Sequence, residues 1–234
     1  MPVPPDGSAP ASLRRHLEFL RDLRGREAKG SRPPRIDEIK AWQAERLART
    51  YADLSASPRY AMATRFFLDD LYGAKDFSGR DEAMLRLYPL MVRTLPKGAV
   101  ETAALAIEVD ALSETLDRRL AAGIEPGPIS EASYARAYRL AGTREERLRQ
   151  IDLIDDVGRR LDLLVVKPMV YATLKLMRRP ASLAGMGELQ SFLERGFKAF
   201  RHMGGAAEFL ETISGRETVL LNRLFSGHPN PFSG

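Results

Sequence analysis

Apolar residues recur every three or four positions along most of the chain, which is the spacing of one face of an α-helix. The leucines between residues 13 and 23 follow this spacing, and the most regular apolar stripe lies between residues 189 and 203. The alternation of apolar and polar residues that is typical of strands is nearly absent. The pattern therefore predicts an all-α fold, a multi-helix globular bundle of about nine helices.

Local sequence signals place several helix ends. Ser57 followed by Pro58 predicts a helix start, because Ser is a good N-cap and Pro is tolerated at the first helical position. Thr143 with Glu146 has the spacing of a capping box, and Ser130 is the predicted cap of a short helix. Gly204 and Gly205 are expected to end the strongest apolar helix.

The proline content separates the ends of the chain from its centre. Residues 1–11 contain four prolines and little apolar mass, so we expect a disordered leader there. Residues 12–226 are expected to form a single helical domain, with residues 12–56 as a separate N-terminal helical pair in the alternative interpretation. Residues 227–234 are predicted to be a flexible tail.

Composition excludes several kinds of chemistry. The chain has 234 residues, of which 44% are hydrophobic and 29% are charged, close to an ordinary globular protein. It contains no cysteine, which rules out disulfides, thiolate nucleophiles and cysteine zinc sites. Neither a secretory signal nor an apolar run of about 20 residues is present, so we expect no membrane span and a cytoplasmic location.

The net charge of +5 is unevenly distributed. Residues 101–163 carry nine basic and thirteen acidic side chains, whereas both flanking regions are basic. Two faces of opposite sign would favour self-association. The charge is too small for the length of the chain to indicate nucleic-acid binding by itself, so we do not predict a nucleic-acid partner from it.

The most unusual segment of the sequence is Phe-Phe-Leu-Asp-Asp-Leu-Tyr, residues 66–72. Asp69 and Asp70 fall in the predicted last helical turn, where the helix dipole disfavours negative charge, so they should have cationic partners. Arg65, Lys75 and Arg80 are the nearest candidates in the sequence. A core helix that simply ends at Gly73 is the alternative. The residues predicted to form a binding corner are Phe66, Phe67, Asp69, Asp70, Tyr72 and Arg80.

This segment resembles the motif of the bacterial FFLEELY-motif proteins, with Asp69 and Asp70 in place of both glutamates. Other parts of the sequence that are similar to this family are residues 57–60, 75–77, 80–81, 112–117 and 192–197. The resemblance extends from about Ser57 to Glu217. It implies an all-helical fold, but it implies no activity, cofactor or catalytic residue.

Candidate catalytic and metal-binding chemistry is sparse. Two predicted helices are rich in acids, but the Glu-x-x-His motif of a di-metal bundle is absent and the chain has only three histidines. Most of these acids are expected on solvated faces, with a buried Asp155–Arg159 pair as one exception. His202 could ligate haem, although a surface histidine at a helix C-terminus explains it better. We therefore assign no catalytic residue, no metal site and no cofactor.

Three functions remain open from the sequence. The first is a non-enzymatic helical interaction or regulatory protein, with a homo-oligomer or a protein partner. The alternative is a helical pocket protein that binds a small ligand or cofactor, suggested by the aromatic residues at 66–67 and 192–200. The third and weakest is nucleic-acid binding through the basic ends.

Overall fold

The computed structural model describes residues 7–25, 32–71, 78–183 and 185–233. These residues form helices and no strand, so the predicted all-α class is confirmed. The helices are α1 (Ala9–Gly25), α2 (Ile36–Thr50), α3 (Ala52–Ala56), α4 (Ala61–Arg65), a π-helical turn (Phe66–Leu71), α5 (Ser78–Thr94), α6 (Lys97–Gly123), α7 (Glu131–Ala141), α8 (Arg144–Val165), α9 (Pro168–Leu176), α10 (Arg178–Leu183), α11 (Gly187–Met203) and α12 (Ala207–Phe225).

There are more helical segments than the nine expected, because predicted helices are divided. The stripe from residue 36 to 54 is interrupted at Tyr51, whose backbone leaves helical geometry between α2 and α3. The predicted helix start at Ser57 and Pro58 is wrong. Residues 57–60 form a turn that the Ala61 amide closes on the Ser57 carbonyl at 2.8 Å, and α4 begins only at Ala61.

Both predicted capping sites are confirmed by side-chain hydrogen bonds. The Ser130 hydroxyl accepts from the Ser133 amide at 3.1 Å, and Ser133 returns a bond to the Ser130 amide. Thr143 and Glu146 make the reciprocal pair at 3.2 and 2.9 Å. Because these bonds satisfy amides that have no helical partner, they fix the starts of α7 and α8.

The long helix α6 lies at the centre of the fold. It packs against α1, α2, α7 and α8, and it contributes Leu116 and Leu120, which are fully buried. Burial of each such side chain contributes about 1.5–3 kcal/mol to folding. A second apolar core lies between α1, α5 and α6 around Leu13, Leu17 and Leu20.

The largest apolar core brings together α2, α3, α4, α8, α11 and α12. Its buried members include Phe66, Phe197, Phe200 and Phe209. The aromatic stripes that suggested a ligand pocket therefore pack mainly against each other. Side chains of the π-helical turn and of α9 both pack against this core.

The chain ends differ from the expectations for the leader and the tail. Helix α1 begins at Ala9, inside the segment assigned to the leader, and Pro10 is tolerated there because the first helical turn needs no amide donor. Residues 1–6 lie outside the described residues. In the tail, Phe232 lies 5.3 Å from the Trp42 ring and 6.0 Å from Tyr134. These ring contacts hold the tail against α2 and α7.

Candidate functional site

The predicted binding corner lies mostly inside the fold. Phe66 and Asp70 are buried, whereas Asp69 is exposed. Phe67 is half-buried and its ring lies 5.8 Å from that of Phe209. Tyr72 and the side chain of Arg80 lie outside the described residues. The described part of the corner thus places two aromatic rings in the core and leaves one of its two acids on the surface.

Asp70 is held by a cation that the sequence did not suggest. Arg195, on α11, donates from Nε and Nη2 to the two carboxylate oxygens of Asp70 at 2.9 and 2.7 Å. The hydrogen bonds to Asp70 raise the pKa of the Arg195 guanidinium. Lys75, one of the expected partners, lies outside the described residues. The pair joins the π-helical turn to α11 although 125 positions separate the two residues.

Phe66 packs beside this pair on a helical glycine. A Cβ atom at Gly196 would lie 2.8 Å from the Phe66 Cζ atom, so only glycine admits the ring at this distance. The Phe192 ring lies 5.3 Å from that of Phe66. The π-helical turn and residues 192–196 of α11 therefore contact each other directly.

The same part of α11 also holds α9 and α10. The Phe197 ring stacks on Tyr171 at 5.0 Å, and the Gln190 amide donates to the Leu174 carbonyl at 2.6 Å. Arg178 binds both carboxylate oxygens of Glu194. The hydrogen bonds from Arg178, and secondarily from Gln190, lower the pKa of Glu194 to about 2. Residues 190–197 thus connect the π-helical turn to α9.

Helix α9 is apolar on both its inner and its outer face. Val170, Tyr171 and Leu174 face the core, but no residue of the helix is fully buried. The outer face presents four exposed residues at the spacing of one helical stripe: Met169, Ala172, Thr173 and Leu176. Met169 is 80% exposed and Leu176 is 77% exposed. Exposed apolar side chains that lie together on one helix face often mark a contact with another molecule, so the outer face of α9 is a candidate contact surface.

A surface groove of about 620 Å³ adjoins this face. Its floor and walls are mostly apolar, with one acid and one base, and are formed by Asp162, Val165, Val166, Pro168, Tyr171, Phe200, Arg201, Gly204 and Gly205. Val166 is 72% exposed and links the groove to the outer face of α9. We call the groove and the stripe of exposed residues on α9 the α9 surface.

The α9 surface lies in the most basic region of the chain. Residues 163–203 contain seven basic and two acidic side chains, so they carry +5, and the rest of the chain holds 29 of each sign. Five of these basic residues are exposed and form no ion pair with any described residue: Lys167, Lys175, Arg179, Lys198 and Arg201. The apolar stripe is therefore accompanied by positive charge.

The acids of α6 do not all lie on a solvated face, as the sequence suggested. Glu114 is buried and lies within 3.6 Å of three cations, Arg24, Lys40 and Arg118. Burial alone would raise the pKa of Glu114, but these cations together lower it. The expected Asp155–Arg159 pair forms at 2.6 Å, although it is partly exposed rather than buried.

His202, which the sequence offered as a haem ligand, does not line the groove of the α9 surface. His202 is exposed at the end of α11, where its Nε2 lies 3.1 Å from the Pro58 carbonyl oxygen. Across the described ranges, no three His, Asp or Glu side chains converge as metal ligands. Within those ranges, every helix is too short or too polar to span a bilayer.

Comparison with known proteins gives a family for this chain. The chain matches no curated protein and no solved structure. One family model, described as a domain of unknown function (DUF8198), matches residues 22–231. This match includes the π-helical turn, α9 and the complete α11 helix that joins them. Because the match covers most of the chain, the protein belongs to the DUF8198 family.

Proposed function

We propose that this chain is a non-enzymatic interaction protein whose α9 surface binds an acidic, amphipathic helix of another protein. The observation that carries this proposal is the outer face of α9, where Met169 and Leu176 are exposed near basic side chains that form no ion pair with a described residue. A partner helix with an apolar stripe and carboxylates at its margins matches that arrangement. The groove would receive one large apolar side chain as an anchor.

Charge favours a different protein over a second copy of this chain. A symmetric dimer through the α9 surface would place two strongly basic regions against each other, which disfavours association. A lipid surface fits less well, because the exposed stripe has no aromatic residue and α9 has only nine residues. Methionine at such a surface adapts its shape to a partner at little energetic cost.

We also infer a bacterial, cytoplasmic protein of the FFLEELY type that forms one helical domain. The resemblance of residues 66–72 and 192–197 supports the relation to that family, and their direct contact gives the shared segments a common structural role. The absence of cysteine supports a reducing compartment. Fractionation of the source cells with an antibody to this chain tests the location, and the inference fails if the protein is found in the membrane or secreted fraction.

A site-specific photo-crosslinker tests the proposed surface. The photoreactive residue p-benzoylphenylalanine replaces Met169 in one variant and Leu140 in a control, because Leu140 is 78% exposed on α7, away from the α9 surface. After illumination in the source cells, we expect an adduct with a second protein only from position 169. The captured protein is then purified, and its affinity for the wild-type chain is measured at several salt concentrations.

Crosslinking of a second protein at position 169 is not sufficient to support the proposal. Binding of the purified partner must weaken at least about tenfold with K175E or R201E, must fall with rising salt, and must survive L140Q. An adduct of twice the chain mass would instead mean self-association, and an adduct with lipid would mean a membrane surface. Equal yields at positions 169 and 140, or a tightly bound small molecule in the native mass spectrum that blocks crosslinking, would also overturn the proposal.

A further inference from the structure

The segment that follows α12 folds back onto other helices of the chain. Gly227, with a φ angle of 72°, turns the backbone in the left-handed region directly after the helix. Residues 226–230 are exposed, whereas Pro231 is buried and Phe232 is half-buried. We call residues 227–233 the latch. It contacts the helices mainly through these last two apolar side chains.

The latch covers a pair of stacked rings from α2 and α7. Trp42 and Tyr134 lie 4.0 Å apart between ring centres, with an angle of 22° between their planes. Phe232 meets both rings edge-on, at 75° to Trp42 and 64° to Tyr134. Edge-to-face contact is a favourable geometry for aromatic pairs. The two rings therefore form a contact site that fits one further aromatic ring.

The hydrogen bonds of the latch run within itself and to the end of α12. The Asn230 amide donates to His228 Nδ1 at 3.1 Å, and the Ser233 hydroxyl donates to the Asn230 carbonyl at 2.8 Å. Arg223 on α12 donates to the Ser233 carbonyl and accepts from the His228 amide. Among the described residues, no hydrogen bond joins residues 228–233 to α2 or α7. The latch can therefore leave these helices without breaking a hydrogen bond to them.

The free energies that hold the latch in place are close to balance. Docking buries one proline and part of one phenylalanine ring at the edge of the apolar core formed by α2, α6 and α7. The gain from burying one such ring is similar in size to the entropy cost of ordering a few backbone residues. Opening of the latch should therefore require less free energy than unfolding of the helices beneath it.

We propose that the latch is a displaceable cover over a binding site for a proline–aromatic segment of another protein, formed by Trp42 and Tyr134. The chemistry of the partner follows from the segment already seated there, Pro231 and Phe232 of this chain. A short tether gives the latch a millimolar effective concentration, so it keeps the site closed until a tighter-binding segment displaces it. The site lies on α2 and α7, and it does not depend on the function proposed for the α9 surface.

Fluorescence of the full chain tests the proposal, because Trp42 is the only tryptophan. In F232A, we expect emission at longer wavelength and stronger quenching by acrylamide, with an unchanged far-ultraviolet circular dichroism spectrum. A synthetic peptide with the sequence of residues 226–234 should reverse this shift saturably in the millimolar range. The same peptide with alanine in place of phenylalanine should have no effect. Wild-type protein should respond less to the peptide, because its own ring occupies the site.

A matched variant and a heating experiment complete the test. F19A removes an exposed ring from α1, a helix that packs on α5 and α6, and it should keep the wild-type emission. On heating wild-type protein, Trp42 emission should shift before the helical signal falls, and F232A should lack this early step. Simultaneous transitions, loss of helical signal in F232A at room temperature, or equal effects of both peptides would overturn the proposal. A wild-type dimer that F232A abolishes would also overturn it, since the occupant would then be a second copy.

Discussion

Arg195 donates hydrogen bonds to both carboxylate oxygens of Asp70 across the contact between α11 and the π-helical turn. The pair sits beside the Phe66 ring on Gly196, and Glu194, the residue directly before Arg195, is bound by Arg178. Two adjacent residues of α11 therefore bind two elements that are distant in sequence, the π-helical turn and α10. This arrangement makes residues 190–197 of α11 the junction between the π-helical turn on one side and α9 and α10 on the other.

The first prediction concerns the two adjacent aspartates. D70N should lower the free energy of unfolding by about 1.5–3 kcal/mol, because Arg195 then loses a charged acceptor at a buried position. D69N should change it by less than about 0.5 kcal/mol, since Asp69 is exposed. Urea unfolding of both variants measures the difference. Equal effects at the two positions would show that the Asp70–Arg195 pair contributes no more than a surface charge.

Two glycines should respond to alanine with opposite signs. G196A should destabilise the fold by about 1–3 kcal/mol, because the new methyl group meets the Phe66 ring at 2.8 Å. G215A lies inside α12 with open space around it, so it should stabilise the helix by about 0.5–1 kcal/mol. Thermal unfolding compares them directly. A rise in melting temperature for G196A would contradict the close packing on Phe66.

Glu194 should make the stability depend on pH in the acid range. Its pKa is about 2 in the folded chain and ordinarily 4.5, so its ionised form stabilises the fold above about pH 4.5. That contribution is lost as the pH falls towards 2. E194Q should therefore flatten the decline in unfolding free energy between pH 5 and pH 3, measured by urea titrations. E188Q, at an exposed position on α11, should keep the wild-type slope.

Removal of the buried carboxylate of Glu114 on α6 should strongly lower the free energy of unfolding. E114Q leaves Arg24, Lys40 and Arg118 with one fewer charge partner inside the fold and should cost about 3–5 kcal/mol. Glu108 lies on the same helix as Glu114 but forms a single, partly exposed ion pair with Arg149 of α8. The E108Q substitution should therefore cost about 0.2–1 kcal/mol. Circular dichroism during urea unfolding measures both. Similar losses would mean that the three cations are satisfied by water.

Features that depend on neighbouring residues were predicted well. The capping sites at Ser130 and Thr143 and the helix end at Gly204 all appear in the structure, because these signals act on backbone groups within a few positions of themselves. The predicted helix start at Ser57 is wrong, because residues 57–60 form a turn and α4 begins at Ala61. The all-α class followed from the same short-range periodicity.

Features that depend on distant residues were not predicted. The sequence suggested Arg65, Lys75 and Arg80 as partners of the aspartates, but the described partner of Asp70 is Arg195 on another helix. It also assigned the acids of α6 to solvent, whereas packing of α1 and α2 on that helix buries Glu114. No local pattern indicates which of 36 basic residues will meet a given acid.

The sequence by itself determined that this protein is helical and where many of its helices begin and end, because those outcomes depend on contacts within one or two turns. Only the tertiary structure decided which apolar helix keeps an exposed face and which acid of α6 is buried. Apolar spacing marks both faces of α9 equally, and Glu114 reads like any other acid of α6. Their environments arise when segments far apart in the chain pack together, and the α9 surface arises with them.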